Sequence, residues 1–453
     1  YSGPTGDFFM PTSISSSSGL LLLFLMLLAT GAQSAPLWDS TSFVTQPDGS
    51  ATEVRLFGDE FHHWLESPDG YAAIKDPASG WYCYAAVSTD GARLISTGVP
   101  LGKPPPAGLE SGLRLDAAAA PGIRAGKILD KPPVINGEVL GLTILVDFPD
   151  LDFETDVPDP AEQQAWINDI EDFLNLPGYT GHGNNGSVFD YFQDVSLNSL
   201  SYTNHLTDRF YESPILRAQL DADSGNWDDV LPVILQQMDA EGFDFGPYDA
   251  NADGMIDAVN IYYWGPVGYY ELWPHYSDMT PVDLDGLTAE HYMVCALRNH
   301  PELRTFCHET GHVLGQWPDL YSVAIPQNGF GLGDYCLMAY GGSGELDPVH
   351  PSAYPKKLAG WLDPVVLDRP GTGLVATSGD NSGYLVPHPD PAVTTEYFLI
   401  ENRQETGRDD RIDDSGLAIY HVDEERDIQE YGSHYLVHLV QADGLWELEK
   451  GRS

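Results

Sequence analysis

The hydrophobic pattern of the N-terminal part of the chain is that of short β-strands joined by tight turns. Between residues 37 and 101, short β-rich runs recur, such as 53–57 and 80–85. Aspartate-glycine pairs, which favour the backbone conformations of hairpin turns, separate these runs. The pairs are Asp48-Gly49, Asp69-Gly70 and Asp90-Gly91. We therefore predict a small β-rich segment over residues 36–110.

The rest of the chain contains both strand and helix patterns. A continuous apolar run at 139–148 is typical of a buried strand, and apolar residues at helical spacing follow between 165 and 174. Further elements are predicted as helices at 187–192 and around 308, and as strands at 258–264, 397–401, 417–421 and 435–440. This order of strands, helices and strands predicts an α+β fold.

Composition marks the borders between these regions. Residues 111–135 include an alanine run and show no apolar periodicity, which predicts a linker. Beyond it, we predict one unit at 136–365 and a β-rich C-terminal portion at 366–453. The last residues lack a closing element, so we expect the C-terminal portion to be truncated.

The first 35 residues have the pattern of an export signal. Ten consecutive apolar residues at 20–29 precede small residues at 30–35, and this run is too short to span a bilayer. No later segment approaches the roughly 18 consecutive apolar residues of a membrane span. We therefore predict a signal peptide at 1–35 and a secreted protein that is not inserted in a membrane after the signal is removed.

The net charge of the chain argues against some classes of binding partner. The chain carries 68 Asp and Glu residues against 21 Lys and Arg, which gives a formal net charge of −47 and an isoelectric point near 4.2. Such a surface repels phosphate backbones and anionic membranes, so we predict no nucleic-acid partner. Acidity of this kind is typical of solubility in a salty or extracellular medium. The four cysteines are too few to form a disulfide framework.

The segment His308-Glu309-Thr310-Gly311-His312 carries the most specific chemistry in the chain. On a helix, positions i and i+4 lie one turn apart on one face, so both imidazoles can reach one metal ion. This geometry suits tetrahedral zinc. Glu309 is placed to act as general base on water that the metal activates. We therefore predict zinc ligation by His308 and His312.

A catalytic zinc site needs a third protein ligand. Asp319 is the best candidate, because Gly315 can end the helix and Pro318 prevents its continuation, which turns the chain back towards the metal. A second role for Asp319 stays open, namely a hydrogen bond that orients a ligand histidine. Glu345 and Asp347 are weaker alternatives as third ligand.

The zinc motif is part of a longer pattern. Residues 307–315, with the following Pro318-Asp319-Leu320-Tyr321, resemble the active-site segment of secreted metallopeptidases of the immune inhibitor A family, which are relatives of the metzincins. Further resemblances lie in the strand at 142–150, the methionine turn at 333–339, and the stretches 357–361 and 397–403. Together they span most of residues 140–445.

The resemblance implies a zincin-like catalytic domain with a mixed sheet and an active-site helix, preceded by a prodomain-like segment. It also implies the site residues, namely zinc ligands His308, His312 and Asp319, the base Glu309, and the turn residue Met338 beneath the metal. In the commonest metzincin spacing, the third ligand lies three residues after the glycine, which here is Pro318. The turn must therefore absorb one extra residue before Asp319.

Residues 249–257, the acidic loop, form a second candidate metal site. Oxygen-bearing side chains stand at alternate positions, with a glycine at the sixth, as in loops that wrap around calcium: Asp249, Asn251, Asp253 and Asp257. Asn260 stands where an EF-hand has its bidentate glutamate. The spacing also suits Asx turns that hold no metal. We predict a calcium-stabilised loop, with the metal-free turn as the alternative.

Two tyrosines and two histidines are further candidates. Tyr321 and Tyr340 are both candidates for a phenol that donates a hydrogen bond to the developing oxyanion, and the sequence does not choose between them. His275 and His421 resemble family positions. We assign them structural hydrogen bonds rather than a catalytic role, because this is the commoner role of a lone histidine.

The cysteines raise two hypotheses. Cys307 and Cys336 flank the zinc helix and the methionine turn, so a disulfide can join these elements. Cys83 is a weaker candidate for a thiolate that occupies the zinc in a latent precursor, because a lone cysteine is usually inert.

Together, these patterns predict a secreted zinc endopeptidase, made as a zymogen, that cleaves peptide bonds in protein or peptide substrates. The alternative is a catalytically silent secreted protein that uses the same scaffold for calcium-dependent adhesion or binding, since a fold does not determine its chemistry. The intact ligands and base favour the enzyme. The sequence leaves the oligomeric state open.

Overall fold

The computed structural model of the chain describes residues 37–58, 63–88, 93–113, 134–221, 225–268, 270–297, 300–321, 330–342, 344, 346–426, 435–445 and 448. The predicted signal peptide, most of the predicted linker and the alternative ligand Glu345 lie outside the described residues. The described residues combine helices with three β-sheets, so the predicted α+β class is confirmed.

The first sheet is antiparallel, with its six strands in sequence order. They are β1 (Leu37–Thr45), β2 (Ala51–Gly58), β3 (His63–Glu66), β4 (Ala72–Lys75), β5 (Tyr82–Val87) and β6 (Leu94–Pro100). Gly49 and Gly70 of the predicted turn pairs have φ angles of 81° and 79°, which favour glycine because it lacks a Cβ atom. Asp90-Gly91 lies outside the described residues. Val54, Leu65 and Tyr84 belong to this sheet's small core.

The second sheet is mixed. Its strands are β7 (Gly137–Asp147), β8 (Leu200–Glu212), β9 (Val259–Trp264), β10 (His275–Leu284) and β11 (Leu287–Leu297). They lie in the order β10-β11-β9-β7-β8, and only the edge strand β10 runs antiparallel to its neighbour. The apolar run that predicts a buried strand is β7, which pairs with strands on both sides and is buried along most of its length.

Helices cover both faces of the second sheet. The helices of the described residues are α1 (Phe153–Asp156), α2 (Pro160–Asn175), α3 (Val188–Val195), α4 (Arg217–Leu220), α5 (Leu231–Glu241), α6 (Leu303–Gly315) and α7 (Ala353–Leu358), of which α7 packs mainly against the third sheet. Successive strand residues point to opposite faces. Ile261 and Tyr263 of β9 therefore pack in one core with α5, while Tyr262 packs in the other core with α2, α3 and α6.

The third sheet consists of β12 (Val365–Val366), β13 (Gly383–Pro387), β14 (Glu396–Arg403), β15 (Gly416–Asp423) and β16 (Val437–Leu439), in sequence order. Leu399, Tyr420 and Val422 of its buried face belong to the same core as α6. The C-terminal portion therefore packs against the segment that carries the zinc motif. Among the described residues, no helix is both long and apolar enough to cross a membrane.

A buried charge network joins this third sheet to the methionine turn. Arg403 Nε lies 2.6 Å from Asp409 Oδ2, and Lys356 Nζ lies 3.2 Å from Glu401 Oε2. Arg403 also donates to Tyr335 O at 2.7 Å. Because buried charges are costly unless they are paired, this network holds the segment before Met338 in one place.

Candidate metal centre

Helix α6 carries the histidines of the zinc motif. All of its residues except His312 are buried, because the helix lies between the second sheet and the C-terminal portion. A side chain from a distant loop caps its first turn: Asn184 Oδ1 accepts a hydrogen bond from Leu303 N–H at 3.0 Å. Asn184 Nδ2 donates to Pro301 O at 3.0 Å. These contacts fix the start of the helix.

The structure brings the three predicted zinc ligands together. In this triad of His308, His312 and Asp319, the two Nε2 atoms lie 3.2 Å apart. Asp319 Oδ1 lies 3.2 Å from His308 Nε2 and 3.1 Å from His312 Nε2. Among the described residues, this is the one group of three or more His, Cys, Asp or Glu side chains whose ligand atoms lie within 4.8 Å of one another.

The hydrogen bond of each Nδ1 atom determines whether the Nε2 atom, which faces the centre of the triad, carries a proton. His308 Nδ1 lies 2.9 Å from Leu337 O, and His312 Nδ1 lies 2.7 Å from Trp317 O. A carbonyl oxygen only accepts hydrogen bonds, so both Nδ1 atoms carry a proton. In the neutral imidazoles, both Nε2 atoms then present lone pairs towards the Asp319 oxygen. Three acceptors therefore converge, and they need a proton or a metal ion between them.

The pKa shifts of His312 and Asp319 also show that the triad favours a positive charge. Burial lowers the pKa of His312, but the Asp319 carboxylate outweighs burial and raises that pKa to about 9. Burial raises the pKa of Asp319, but the neighbouring His312 and His308 outweigh it and hold that pKa well below its usual range. The triad thus stabilises a cation within it.

The donor set and spacing of the triad fit zinc. Zinc binds imidazole nitrogen and carboxylate oxygen at about 2.0–2.1 Å, so the corners of a tetrahedral site lie about 3.3–3.4 Å apart. The observed separations of 3.1–3.2 Å are close to this value. Three protein ligands leave the fourth position that catalytic zinc sites keep open.

The turn after α6 absorbs the extra residue before Asp319. The helix ends at Gly315, but the residue in the left-handed conformation is Gln316, with φ 51° and ψ 33°. Trp317 N–H then donates to Gly311 O at 3.2 Å, which reverses the chain. Gly315 has a different role: a Cβ atom there would lie 2.8 Å from the Trp317 indole. Glycine lets Trp317 pack under the turn.

The methionine turn lies against the helix that carries the triad. Met338 is fully buried, and a Cβ atom at Gly311 would lie 2.8 Å from its sulfur. Leu320 N–H donates to Met338 O at 2.6 Å. Because Leu337 O accepts the bond from His308, this turn fixes both a ligand histidine and the chain segment next to Asp319.

Glu309 is buried next to the triad. It follows His308 on α6 and is only 1% exposed. Its charge contributes to the raised pKa of His312, although less than that of Asp319 does. The Glu309 carboxylate therefore acts on the charge of the triad, and its role as general base stays a prediction.

The structure also places the two candidate tyrosines and the alternative ligand Asp347. The Tyr321 ring is buried and lies nearly parallel to that of His308, with ring centroids 6.4 Å apart. Tyr340 contacts Phe330 edge-on. Asp347, the alternative third ligand, is not part of the triad, and its carboxylate lies 3.4 Å from Arg411 Nε.

The two histidines with predicted structural roles are also outside the triad. His275 Nδ1 lies 2.6 Å from Trp273 O, and burial lowers the pKa of His275 to about 4. His421 Nε2 lies 2.9 Å from Glu396 Oε1, across two neighbouring strands. Both side chains make local hydrogen bonds.

The predicted disulfide is not present. All four cysteines are free and buried, including Cys307 and Cys336. Cys336 Sγ instead accepts a hydrogen bond from Ser352 N–H at 3.3 Å, and burial raises the pKa of both thiols. Packing and the Arg403 network, rather than a covalent bond, hold the methionine turn. Cys83 lies in the first sheet and is not part of the triad.

The acidic loop is held by hydrogen bonds of its own. Asp249 Oδ1 accepts from the backbone N–H of Asp253 at 3.1 Å, and Asp257 Oδ2 accepts from that of Ala250 at 2.6 Å. Two Asx turns add to these bonds: Asn251 Oδ1 accepts from Asp253 N–H at 3.0 Å, and Asp253 Oδ1 accepts from Met255 N–H at 2.9 Å. The described carboxylates of the loop form no group of three within 4.8 Å. Calcium binding by Asp249, Asn251, Asp253 and Asp257 stays a prediction.

Sequence reasoning missed a row of side chains beside His312. Tyr276 lies nearly parallel to the His312 ring, and its hydroxyl donates to Asp278 Oδ1 at 3.2 Å. His291 Nδ1 lies 2.9 Å from the same oxygen. The strand that carries Tyr276 and Asp278 was not predicted, because Thr280 and Pro281 interrupt its apolar pattern.

Comparison with known proteins adds no family assignment. No protein-family model matches the chain, and no curated protein matches it. The resemblance to the immune inhibitor A family therefore rests on the residues quoted above.

Proposed function

We propose that this protein is a zinc-dependent endopeptidase with a zincin-like catalytic fold. The observation that carries the proposal is the convergence of three hydrogen-bond acceptors, from His308, His312 and Asp319, with a buried glutamate next to them on the same helix. Chain order supports it too, because the helix, the third ligand and the methionine turn follow one another as they do in the family that the sequence resembles.

In this proposal, each residue of the metal centre has its own role in hydrolysis. The triad would hold the ion, which when bound would supply Lewis acidity that polarises a carbonyl group and acidifies water. Glu309 accepts the proton of the attacking water and passes it to the leaving amine. Leu337 O and Trp317 O keep both imidazoles in the tautomer that presents Nε2 to the ion.

The fold favours an extended polypeptide as the substrate. Strand β10 lies at the edge of the second sheet, pairs only with β11, and carries Tyr276 against His312. An edge strand can pair with an added chain through its backbone groups. We infer that a substrate peptide lies along this edge, which brings a peptide carbonyl to the triad.

We further propose that the protein is exported and made as a precursor. The apolar run at 20–29 supports export, and the β-rich segment at 36–110 takes the place of a prodomain. This segment forms a sheet with its own core, as expected of a part that can be removed by cleavage.

The test is casein hydrolysis by the full chain, before and after limited proteolysis to remove an inhibitory segment. We expect activity that a zinc chelator abolishes and added zinc restores. A calcium-selective chelator serves as the control and should leave the zinc centre occupied. A protein that binds zinc but cleaves no substrate in either form would contradict the proposal and favour the binding-protein alternative.

A further inference from the structure

The two ligand histidines are held in the same way. Each Nδ1 faces a backbone carbonyl oxygen, and each ring lies nearly parallel to that of a tyrosine. Tyr321 covers His308, with centroids 6.4 Å apart and planes at 23°; Tyr276 covers His312, at 6.0 Å and 26°. Tyr321 is fully buried, whereas Tyr276 lies on the edge strand β10 and is partly exposed. The two tyrosines are therefore held by different means.

Tyr276 is held by a pair of side chains on neighbouring strands. Positions 276 and 278 share one face of β10, because side chains alternate along a strand. Asp278 lies opposite His291 of β11 in the strand register. Asp278 Oδ1 accepts from the Tyr276 hydroxyl at 3.2 Å and lies 2.9 Å from His291 Nδ1. The His291 side chain is only 9% exposed, so the pair is anchored in the sheet.

His312 needs such a support more than His308 does. Its side chain is 11% exposed, compared with 1% for His308. The bond from Nδ1 to Trp317 O restrains one end of the imidazole but permits the ring to tilt about that contact. The His308 ring meets His312 edge-on, with centroids 4.9 Å apart, and the Tyr276 ring lies roughly parallel to that of His312, with centroids 6.0 Å apart. Together these contacts restrict the tilt that would move Nε2 away from the centre.

We propose that Tyr276, anchored by Asp278 and His291, is a positioning residue that holds the His312 imidazole in its metal-binding orientation. This inference rests on the proposed zinc centre and deepens it. It assigns a role in metal affinity to the row formed by Tyr276, Asp278 and His291. The aromatic ring carries most of the effect, and the hydroxyl bond to Asp278 adds a smaller share.

The test measures zinc affinity of the full chain by competition with a chromophoric chelator. Tyr276→Ala and Tyr276→Leu are expected to lower the affinity about 10–100-fold, as for other residues that orient metal ligands. Tyr276→Phe keeps the ring and is expected to stay within about 3-fold of the wild type. Tyr397→Leu is the matched control, because Tyr397 also donates to a carboxylate, that of Glu424, but does not contact the triad.

The unfolding temperature of each variant in excess chelator separates a folding defect from a loss of positioning. If Tyr276→Ala does not fold, Tyr276→Leu fills the space without supplying a planar face. Zinc affinity equal to that of the wild type in Tyr276→Leu would overturn this inference but leave the proposed function intact. A wild-type chain that binds no zinc would overturn both.

Discussion

The triad and the acidic loop are both candidate metal sites by their side-chain spacing, but the structure satisfies their ligand atoms differently. In the triad, three acceptors face one another at 3.1–3.2 Å, and the outer nitrogens are anchored to carbonyl oxygens. In the acidic loop, the carboxylates accept backbone N–H groups of the loop itself. The acceptors of the triad thus need a proton or a metal ion between them, whereas carboxylates of the loop already have backbone donors.

This difference shows how far the spacing of side chains along the sequence determines a metal site. On a helix, residues i and i+4 share a face in any fold, so His308 and His312 lie within reach of one ion, and Leu337 O and Trp317 O orient their rings. In a loop, the same alternation of oxygen side chains serves calcium binding and Asx turns equally well. The predictions below test this contrast, and they run from the largest expected effect to the smallest.

Glu309→Gln is expected to have the largest effect. Without a base, peptide hydrolysis should fall by about 10²–10⁴-fold, while the triad remains intact and binds zinc as before. Cleavage of casein and zinc content are measured on the same preparation. Wild-type turnover in this variant would show that Glu309 is not the base.

Replacing one aspartate by asparagine in the triad and one in the acidic loop tests the contrast between these two regions directly. Asp319→Asn removes the charge that the two imidazoles face, so zinc affinity should fall by more than about 100-fold, beyond the loss for a residue that only orients a ligand. Asp253→Asn in the acidic loop should leave zinc affinity unchanged. A loss of only about 10–100-fold for Asp319→Asn would instead identify Asp319 as an orienting residue.

Calcium should act on the loop alone. At about 10 mM calcium and an affinity typical of extracellular modules, binding stabilises the folded chain by about 1–3 kcal/mol. The unfolding temperature measured with and without calcium reports this gain, and Asp253→Asn should remove it. The absence of any shift in the wild type would favour the metal-free Asx turn.

Gly311→Ala tests the packing beneath the triad. Helix propensity alone favours alanine by about 1 kcal/mol. The added Cβ atom, however, would lie 2.8 Å from the Met338 sulfur and 2.7 Å from the Trp317 ring. We expect overpacking to outweigh propensity and to lower the free energy of unfolding by about 1–2 kcal/mol, measured in urea. A stabilised variant would show that this contact relaxes easily.

Much of the fold is predictable because several elements carry local signals. The apolar run at 139–148 corresponds to β7, and the predicted helix opening at 187 corresponds to α3, which Ser187 caps with Asp190 in a capping box. The strand predicted at 397–401 lies within β14. In these segments, periodicity and caps agree with the tertiary environment.

What was missed depends on how neighbouring elements meet. The row of Tyr276, Asp278 and His291 exists because β10 and β11 form a hairpin whose register places Asp278 opposite His291. The turn of this hairpin, Asp285-Gly286, is the same kind of signal as the aspartate-glycine pairs of the first sheet, but Thr280 and Pro281 interrupt the apolar pattern of the strand before it. Likewise, the spacing of Cys307 and Cys336 does not show whether they bond: both are free and buried, and Cys336 Sγ accepts a hydrogen bond from Ser352 N–H.

The zinc content of the purified chain tests the central claim most directly. Inductively coupled plasma mass spectrometry after zinc loading and gel filtration should find one zinc per wild-type chain and none in His312→Ala. His421→Ala serves as the control and should retain the ion, because His421 contacts Glu396 and not the triad. A wild-type chain without zinc, or a His312→Ala chain that keeps it, would contradict the proposed metal centre.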